Sequence, residues 1–336
     1  MARGSGGGVT SRDVARAAGV SQNTVSLVAR GSPRVRAETR ATVLEVMARL
    51  DYRPNAVAAA LRTRTMSSLL FVVDAGLIHD HLTAGLLAGA VEEARLHGYS
   101  ILAQTVDADH PGLAVELYRA QLVAGALVLA RMVDDPCVGV LAASGCPSVS
   151  LLEPHAGIPP DRVIVADDGG GAAAAVRHLL ARGHCRIGLV RVPIADDGVD
   201  IAAERVRAAR HAAHGGGATL VEAVADDWTF ESGLAAASAL LGRPCAERPT
   251  GIFALSDRLA FGVLAAAARV GLSVPAALAV VGFDDAEWGR YASPPLTTVE
   301  FPLRAMAREA VRRLLLPHAP REWERAPTRL IVRGSS

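Results

Sequence analysis

Between residues 9 and 26 the chain is punctuated so tightly that two short crossing helices are the natural fit. Thr10 can cap the first helix, with Asp13 three residues on to complete a capping box; Gly19 stands where a left-handed residue would end it, and Ser21 caps a second helix running to about residue 29. Val14, Ala18, Val20, Val25 and Val28 are the small apolar residues such a crossing would bury. The pattern is a helix-turn-helix. Its second helix offers Gln22, Asn23, Thr24 and Ser26 on or near the N-terminal turn, where a recognition helix presents side chains to base edges and phosphates.

A third helix is expected over residues 34–50, because Val43, Val46, Met47 and Leu50 recur at the spacing of one packed stripe. Proline then breaks the chain at Tyr52-Arg53-Pro54-Asn55, and residues 56–62 form a helix too short to persist without DNA or a partner. Charge separates this segment from the rest. Residues 1–65 hold eleven Arg against Asp13, Glu38, Glu45 and Asp51, a balance of +7, while the whole chain carries +1, so the remainder is near −6. A basic head suits phosphate contact, and screening isolates it from a mildly acidic body.

Asp13-Val14-Ala15, Ala18-Gly19-Val20-Ser21, Thr24-Val25-Ser26, and Tyr52-Arg53-Pro54-Asn55 followed by Ala58 and Leu61, resemble the lactose/galactose repressor (LacI/GalR) family of bacterial transcriptional regulators. The resemblance implies DNA-binding residues at Thr10, Ser21, Gln22, Asn23, Thr24, Ser26, Leu27, Arg30, Asn55, Ala58 and Leu61. It also implies a homodimer on a palindromic operator, with a hinge helix that orders in the minor groove and Leu61 wedged into the central base step. Leu27 stands where many members carry a guanine-reading arginine, and Arg36 where a serine usually caps the third helix, which leaves operator preference open.

From residue 67 onward, short apolar runs alternate with helical stretches. Residues 69–73, 101–104, 126–130, 149–152, 187–190, 220–224, 251–255 and 278–283 read as buried strands, the pattern of parallel sheets with right-handed crossovers. That number of strands suggests two doubly wound lobes. The expected fold is therefore α/β, with a small all-α helix-turn-helix head and a two-lobed doubly wound body. The resemblance continues through His178-Leu179, Gly183-His184, Ser256-Asp257, Val281-Gly282-Phe283-Asp284-Asp285, Pro294-Pro295-Leu296-Thr297-Thr298-Val299 and Leu330-x-Val332-Arg333-Gly334-Ser335. It implies a body of the periplasmic-binding-protein type that binds a small-molecule effector, sugar-like or a related metabolite, between the lobes, at the carboxyl ends of the strands. The expected plan is a flexible tail over 1–8, the DNA-binding domain over 9–54, a hinge over 55–65 and an effector-binding and dimerisation body over 66–336. Its N-lobe takes about 67–166 and 302–326, and its C-lobe about 167–298 and 327–334.

Ligand-binding residues implied by the resemblance are Asp284, a carboxylate for ligand hydroxyls, Trp228, an aromatic cover for an apolar face, and Arg205, with Arg207 as the alternative because the glycine that fixes the register is missing. Ser256 and Phe301 complete the expected set. Leu152 replaces an aspartate common after the fourth strand and is followed by Glu153, so a pocket more apolar than a typical sugar site is expected. His79-Asp80-His81 lies near the predicted cleft mouth and reads as a polar loop edge, with two histidines at i and i+2 that could alternatively bind a metal or a hydroxyl-rich ligand. Gly169-Gly170-Gly171 lacks the spacing of a dinucleotide-binding turn and opens a helix packed on the sheet.

Composition removes other chemistries. All thirty-five basic residues are arginine, which excludes a Walker lysine, a pyridoxal Schiff base and a lysine general base. Cys137, Cys146, Cys185 and Cys245 show no Cys-x-x-Cys or zinc spacing and read as buried small hydrophobes in a reducing compartment. No metal, cofactor or catalytic residue is expected. The N-terminal residues have no signal-peptide core and no apolar run of about eighteen residues occurs, so a cytoplasmic protein is expected. A transport solute-binding protein would account for the body alone, and an enzyme would need a nucleophile motif that is absent.

Overall fold

A computed structural model describes residues 9–29, 35–52, 67–78, 81–106, 111–130, 135–194 and 200–336. The expected tail, the hinge with Asn55, Ala58 and Leu61, and Arg30, His79 and Asp80 lie outside the described residues. Contacts group the chain into two compact units, residues 1–66 and 67–336.

The first unit holds α1 (Ser11–Ala18), α2 (Gln22–Ala29) and α3 (Ala37–Arg49). Val14, Val25, Val28, Val43, Val46 and Met47 are buried together, with Val20, Leu50 and Tyr52 packed against them. Gly19 adopts φ 67 at the end of α1, the left-handed conformation that glycine enters without a Cβ clash. The third helix starts at Ala37 rather than at residue 34. Arg36 is extended, with ψ 144, and supplies no side-chain cap, so the helix cannot reach back through it.

In the second unit, β1 (Ser68–Asp74), β2 (Ser100–Val106), β3 (Ala126–Leu129), β4 (Ser148–Leu151) and β5 (Val163–Ile164) form a parallel sheet in the order β2-β1-β3-β4-β5. The helices α4 (His81–Leu96), α5 (Leu113–Arg119) and α6 (Pro136–Ala143) make its crossovers. A second parallel sheet, ordered β7-β6-β8-β9, is built from β6 (Arg186–Arg191), β7 (Thr219–Val224), β8 (Gly251–Ala254) and β9 (Ala279–Val281). Around it lie α7 (Asp168–Ala181), α8 (Ile201–Gly215), α9 (Phe230–Leu241) and α10 (Asp257–Arg269). These sheets make the two doubly wound lobes. Leu69, Phe71, Leu127, Ile187, Leu189, Ile252 and Phe253 are fully buried within them, as expected of parallel strands covered on both faces.

The chain returns to the first lobe as α11 (Leu303–Leu315), which packs on α4 and β4, and then re-enters the second as β11 (Arg329–Ile331). There β11 pairs antiparallel with β10 (Thr298–Glu300), which is bridged to β9 through Val281 and Thr297. Strands β5, β10 and β11 were not expected, being two or three residues long and so too short to show a period. The apolar run 278–283 is a strand only over Ala279–Val281, because Asp284 turns to φ 115 immediately beyond it. The triple glycine does open α7: a Cβ on Gly171 would fall 2.9 Å from Val299 and 3.0 Å from Phe283. The cysteine expectation is corrected in half. Cys137 and Cys146 are buried, whereas Cys185 and Cys245 are exposed, since they lie in the turns before β6 and after α9.

Candidate functional site

In the head, α2 begins where Ser21 stops the turn. Its Oγ accepts the Thr24 N–H at 3.1 Å and lies 2.9 Å from the Thr24 hydroxyl. Upstream, the Asp13 carboxylate accepts the Thr10 hydroxyl at 2.6 Å and the Thr10 N–H at 3.0 Å, and these bonds hold its pKa below the usual carboxylate value. Thr10, Ser21 and Asn23 are exposed, and Gln22, Thr24, Ser26 and Leu27 are half-buried. Besides the caps, two more of these side chains are partly engaged within the head: the Gln22 amide donates to the Ser11 hydroxyl at 2.8 Å, and the Ser26 hydroxyl donates to the Gln22 carbonyl at 3.0 Å. The outward face of α2 is thus carried by Asn23, Thr24 and Leu27.

In the body, a cavity of about 420 Å³ lies among the carboxyl ends of strands from both lobes. The N-lobe side is mainly apolar, with Leu77, Leu82, Leu129 and Leu152, interrupted by His81 and Glu153. Charge concentrates on the C-lobe side, in Asp200, Arg205, Asp227, Arg258 and Asp284, beside Trp228 and Ser256. The expectation of an unusually apolar pocket therefore describes one wall.

Arg205 organises the charged wall. It projects from α8, 2% exposed, and its Nε donates to Asp168 at 2.7 Å while one terminal nitrogen donates to the Leu255 carbonyl at 2.6 Å and lies 3.5 Å from Asp284. Its guanidinium carbon stands 3.6 Å above the Phe283 ring, so the flat face of the fork is covered as well. Arg207, two residues on and so about 200° further round the helix, is exposed, and of the two arginines it is Arg205 that borders the cavity. Burial pushes the Asp168 carboxyl up to about 6 despite the opposing pull of Arg205.

Asp284 follows β9 at φ 115, a conformation side chains rarely adopt, and persists there because its N–H is bonded to the Val299 carbonyl at 2.8 Å. The next residue, Asp285, is ion-paired to Arg333 and, at 3.1 Å, to Arg290, which ties the turn to the segment after β11. Buried Asp257 accepts the Thr298 hydroxyl at 2.5 Å and the Ala286 N–H at 2.7 Å from behind; burial, then the charge of Asp284, raises its pKa.

Ser256 borders the cavity while capping α10, its hydroxyl accepting the Leu259 N–H at 3.2 Å. Trp228 is half-buried on the wall just before α9. Phe301 stands back from the cavity lining: it is buried 6.0 Å from the Phe283 ring and 5.4 Å from the Arg205 guanidinium, supporting the site from behind.

Three further wall residues fall outside the expected ligand-binding set, although the sequence places His81 near the cleft mouth and Glu153 beside Leu152. His81 is no loop edge: it opens α4, packs edge-on against Trp288 at 5.8 Å, and places Nε2 3.6 Å from Asp284 in the other lobe. Glu153 follows β4 and accepts the Ile201 N–H of the other lobe at 3.2 Å; burial, reinforced by the charges of Asp200 and Asp168, raises its pKa to about 7. Arg258 lies on α10 with its guanidinium 5.5 Å from the Phe230 ring. The positions of Glu153, directly after an apolar strand, and of His81, in the segment after the first body strand, gave a sequence signal; that of Arg258 gave none.

A helix-turn-helix head and a two-lobed body with a cavity between facing strand ends define the class, a transcriptional regulator with a periplasmic-binding-protein-like body. Residues 10–55 match the family described as bacterial regulatory proteins, lacI family, and residues 176–336 match the periplasmic binding protein-like domain. The chain is 34% identical to the HTH-type transcriptional regulator MalR of Streptomyces coelicolor, covering 96% of this chain and 95% of that one. Among solved structures it resembles the lac repressor dimer bound to operator and the anti-inducer ONPF, with TM-score 0.80, 28% identity and coverage of 97% and 98%. It also resembles the complex of the transcriptional regulator CelR with cellobiose, with TM-score 0.69, 30% identity and coverage of 98% and 100%. The chain belongs to the lacI family of bacterial regulators and is a DNA-binding regulator of transcription.

Proposed function

We propose that the protein is a cytoplasmic, non-enzymatic repressor that binds a palindromic operator as a homodimer and changes its operator affinity when a small polyhydroxy effector occupies the cleft. The observation that carries this reading is the cavity of about 420 Å³ walled by both lobes, with Arg205, Asp284 and Trp228 on one side. A ligand there would touch both lobes at once, and only differential contact with two lobe arrangements can couple a site in the body to DNA. Arg205 and Asp284 suit ligand hydroxyls, Trp228 suits an apolar ring face, and Phe301 and Ser256 hold that wall in place. The operator bound by the lac repressor and the cellobiose held by CelR are consistent with this assignment.

On the DNA side, Asn23, Thr24 and Leu27 read bases and Thr10, Ser21, Gln22, Ser26 and Arg30 position the head. Residues 55–65 act as the hinge, with Asn55 and Ala58 against the minor groove and Leu61 as the wedge. The test is selection of binding sites from random DNA by the purified protein, followed by affinity measurements across salt. A two-fold palindrome with affinity falling steeply as salt rises is expected; an asymmetric motif, or affinity that barely changes with salt, contradicts it.

A further inference from the structure

The acids of the cleft wall outnumber its arginines: Glu153, Asp200, Asp227 and Asp284 face Arg205 and Arg258. The charge of Arg205 is already met by Asp168 at 2.7 Å and by Asp284. Two of the acids are occupied as helix-start groups: Asp200 accepts the Ala203 N–H at 2.7 Å, and Asp227 accepts the N–H and hydroxyl of Thr229 at 2.9 and 2.5 Å. Glu153 differs. It is 9% exposed, one oxygen accepts the Ile201 N–H across the cleft, and the second accepts no hydrogen bond from the described residues. The described N-lobe wall beside it is largely apolar and supplies no arginine. Among the described residues a carboxylate so placed has no ion pair of its own, and an incoming ammonium would bring both a charge partner and three donors.

We infer that the effector is an amine-bearing, cationic sugar, and that Glu153 is the carboxyl that recognises its ammonium group; this rests on the cleft being the effector site. A neutral sugar could satisfy Arg205, Asp284 and Trp228 equally well, so Glu153 is what separates the amine from the hydroxyl. Because Glu153 belongs to the N-lobe and also bonds the first turn of α8 in the C-lobe, a bound ammonium would strengthen a contact that already spans the lobes. Among the described residues Asp200, Asp168 and Arg205 act on Glu153, the ion pair of Glu204 and Arg325 lines a second cavity beside it, and burial raises its pKa to about 7. Burial favours the protonated form, whereas a bound ammonium favours the carboxylate, so binding near neutral pH is coupled to release of a proton.

Isothermal titration of the full chain at pH 6.5, in two buffers of different ionisation enthalpy, tests this with glucosamine, galactosamine, mannosamine and the diglucosamine disaccharide against glucose, galactose, mannose and cellobiose. At least one amino sugar should bind tenfold or more tightly than its hydroxyl counterpart and release a proton. Glu153→Gln should remove the preference and the release while leaving the body folded, with a cooperative thermal transition. Glu153→Asp, which keeps the charge on a shorter stem, should keep the release with weaker binding. The proposal is overturned if no amino sugar binds, if neutral sugars bind as tightly as their amino counterparts, or if the preference survives Glu153→Gln. Assignment of the cleft itself fails separately, if whatever sugar binds does so undiminished in Asp284→Gly.

Discussion

In the head, the side chains assigned to DNA between Thr10 and Leu27 lie on two successive short helices and stand at the surface, over a core of seven buried residues. In the body, the side chains around the cavity come from positions as distant as His81 and Asp284, and the central ones are buried in ion pairs. The head keeps its reading groups solvated until DNA arrives, whereas the body has already lost solvation around Arg205 and recovers it through Asp168, Leu255 and Phe283. Substitutions should therefore act on function in the first region and on stability as well as function in the second.

The largest effect should come from Arg205→Ala. It strands Asp168 in the interior and leaves the Leu255 carbonyl without its donor, for an expected loss of about 3–5 kcal/mol in urea unfolding of the body. Arg207→Ala, at an exposed position on the same helix, should stay within about 0.5 kcal/mol. Equal losses from the two would break the contrast between buried and surface charge.

Met47→Ala, in the small core of the head, should cost about 2 kcal/mol or more, enough to lower operator affinity sharply in a unit of this size. Effector binding and the unfolding midpoint of the body should not move. A parallel shift of both would show that the two units are not energetically separate.

The same contrast explains what could be read in advance. Thr10, Asp13, Gly19 and Ser21 announce the head because capping is local, each group meeting a partner within a few residues. Eight strands of the body were legible as apolar runs, while β5, β10 and β11 were hidden by their length. Arg205 and Arg207 could not be told apart from spacing, since only packing on Phe283 and Asp168 decides which one turns inward. The sequence places Glu153 and His81 near the cleft, but their contacts were not legible because their partners, Ile201 and Asp284, lie 48 and 203 positions away in the chain.

Acid response should differ in sign between the buried acids Glu153 and Asp168 of the body and Asp13 of the head. Glu153 near 7 and Asp168 near 6 are both raised above their unfolded values of about 4.3 and 3.9. The folded body therefore holds more protons than the unfolded chain over that interval, so their contribution is full below about pH 4 and is lost as pH rises through 6 and 7. Asp13 in the head is lowered, so its contribution is present above about pH 4 and lost as pH falls. Glu153→Gln should flatten the decline in body stability between pH 5 and 7.5 by roughly 1–3 kcal/mol in unfolding measurements. An unchanged slope would mean that Glu153 is not held protonated by the cleft.

A smaller and more specific change is expected from Leu27→Arg. A half-buried leucine can only touch an apolar edge such as a thymine methyl, whereas arginine can bond guanine O6 and N7 for about 1–3 kcal/mol of discrimination. Binding-site selection should then show guanine gained at one symmetric position of each half-site. Identical motifs from the two proteins would mean that Leu27 does not face the bases.

The central claim, that a ligand held by the C-lobe wall controls the head, is tested most directly with Asp284→Gly. Glycine accepts the φ of 115 found at this position and removes both acceptor oxygens, so the loss of the carboxylate is not confused with backbone strain. Fluorescence anisotropy of a selected operator, with neutral and amino sugars titrated in, should show unchanged affinity in the absence of sugar and loss of the sugar-induced shift that the parent protein displays. An Asp284→Gly protein whose operator affinity still shifts at the same sugar concentration, or a parent protein that no sugar shifts, would contradict the account.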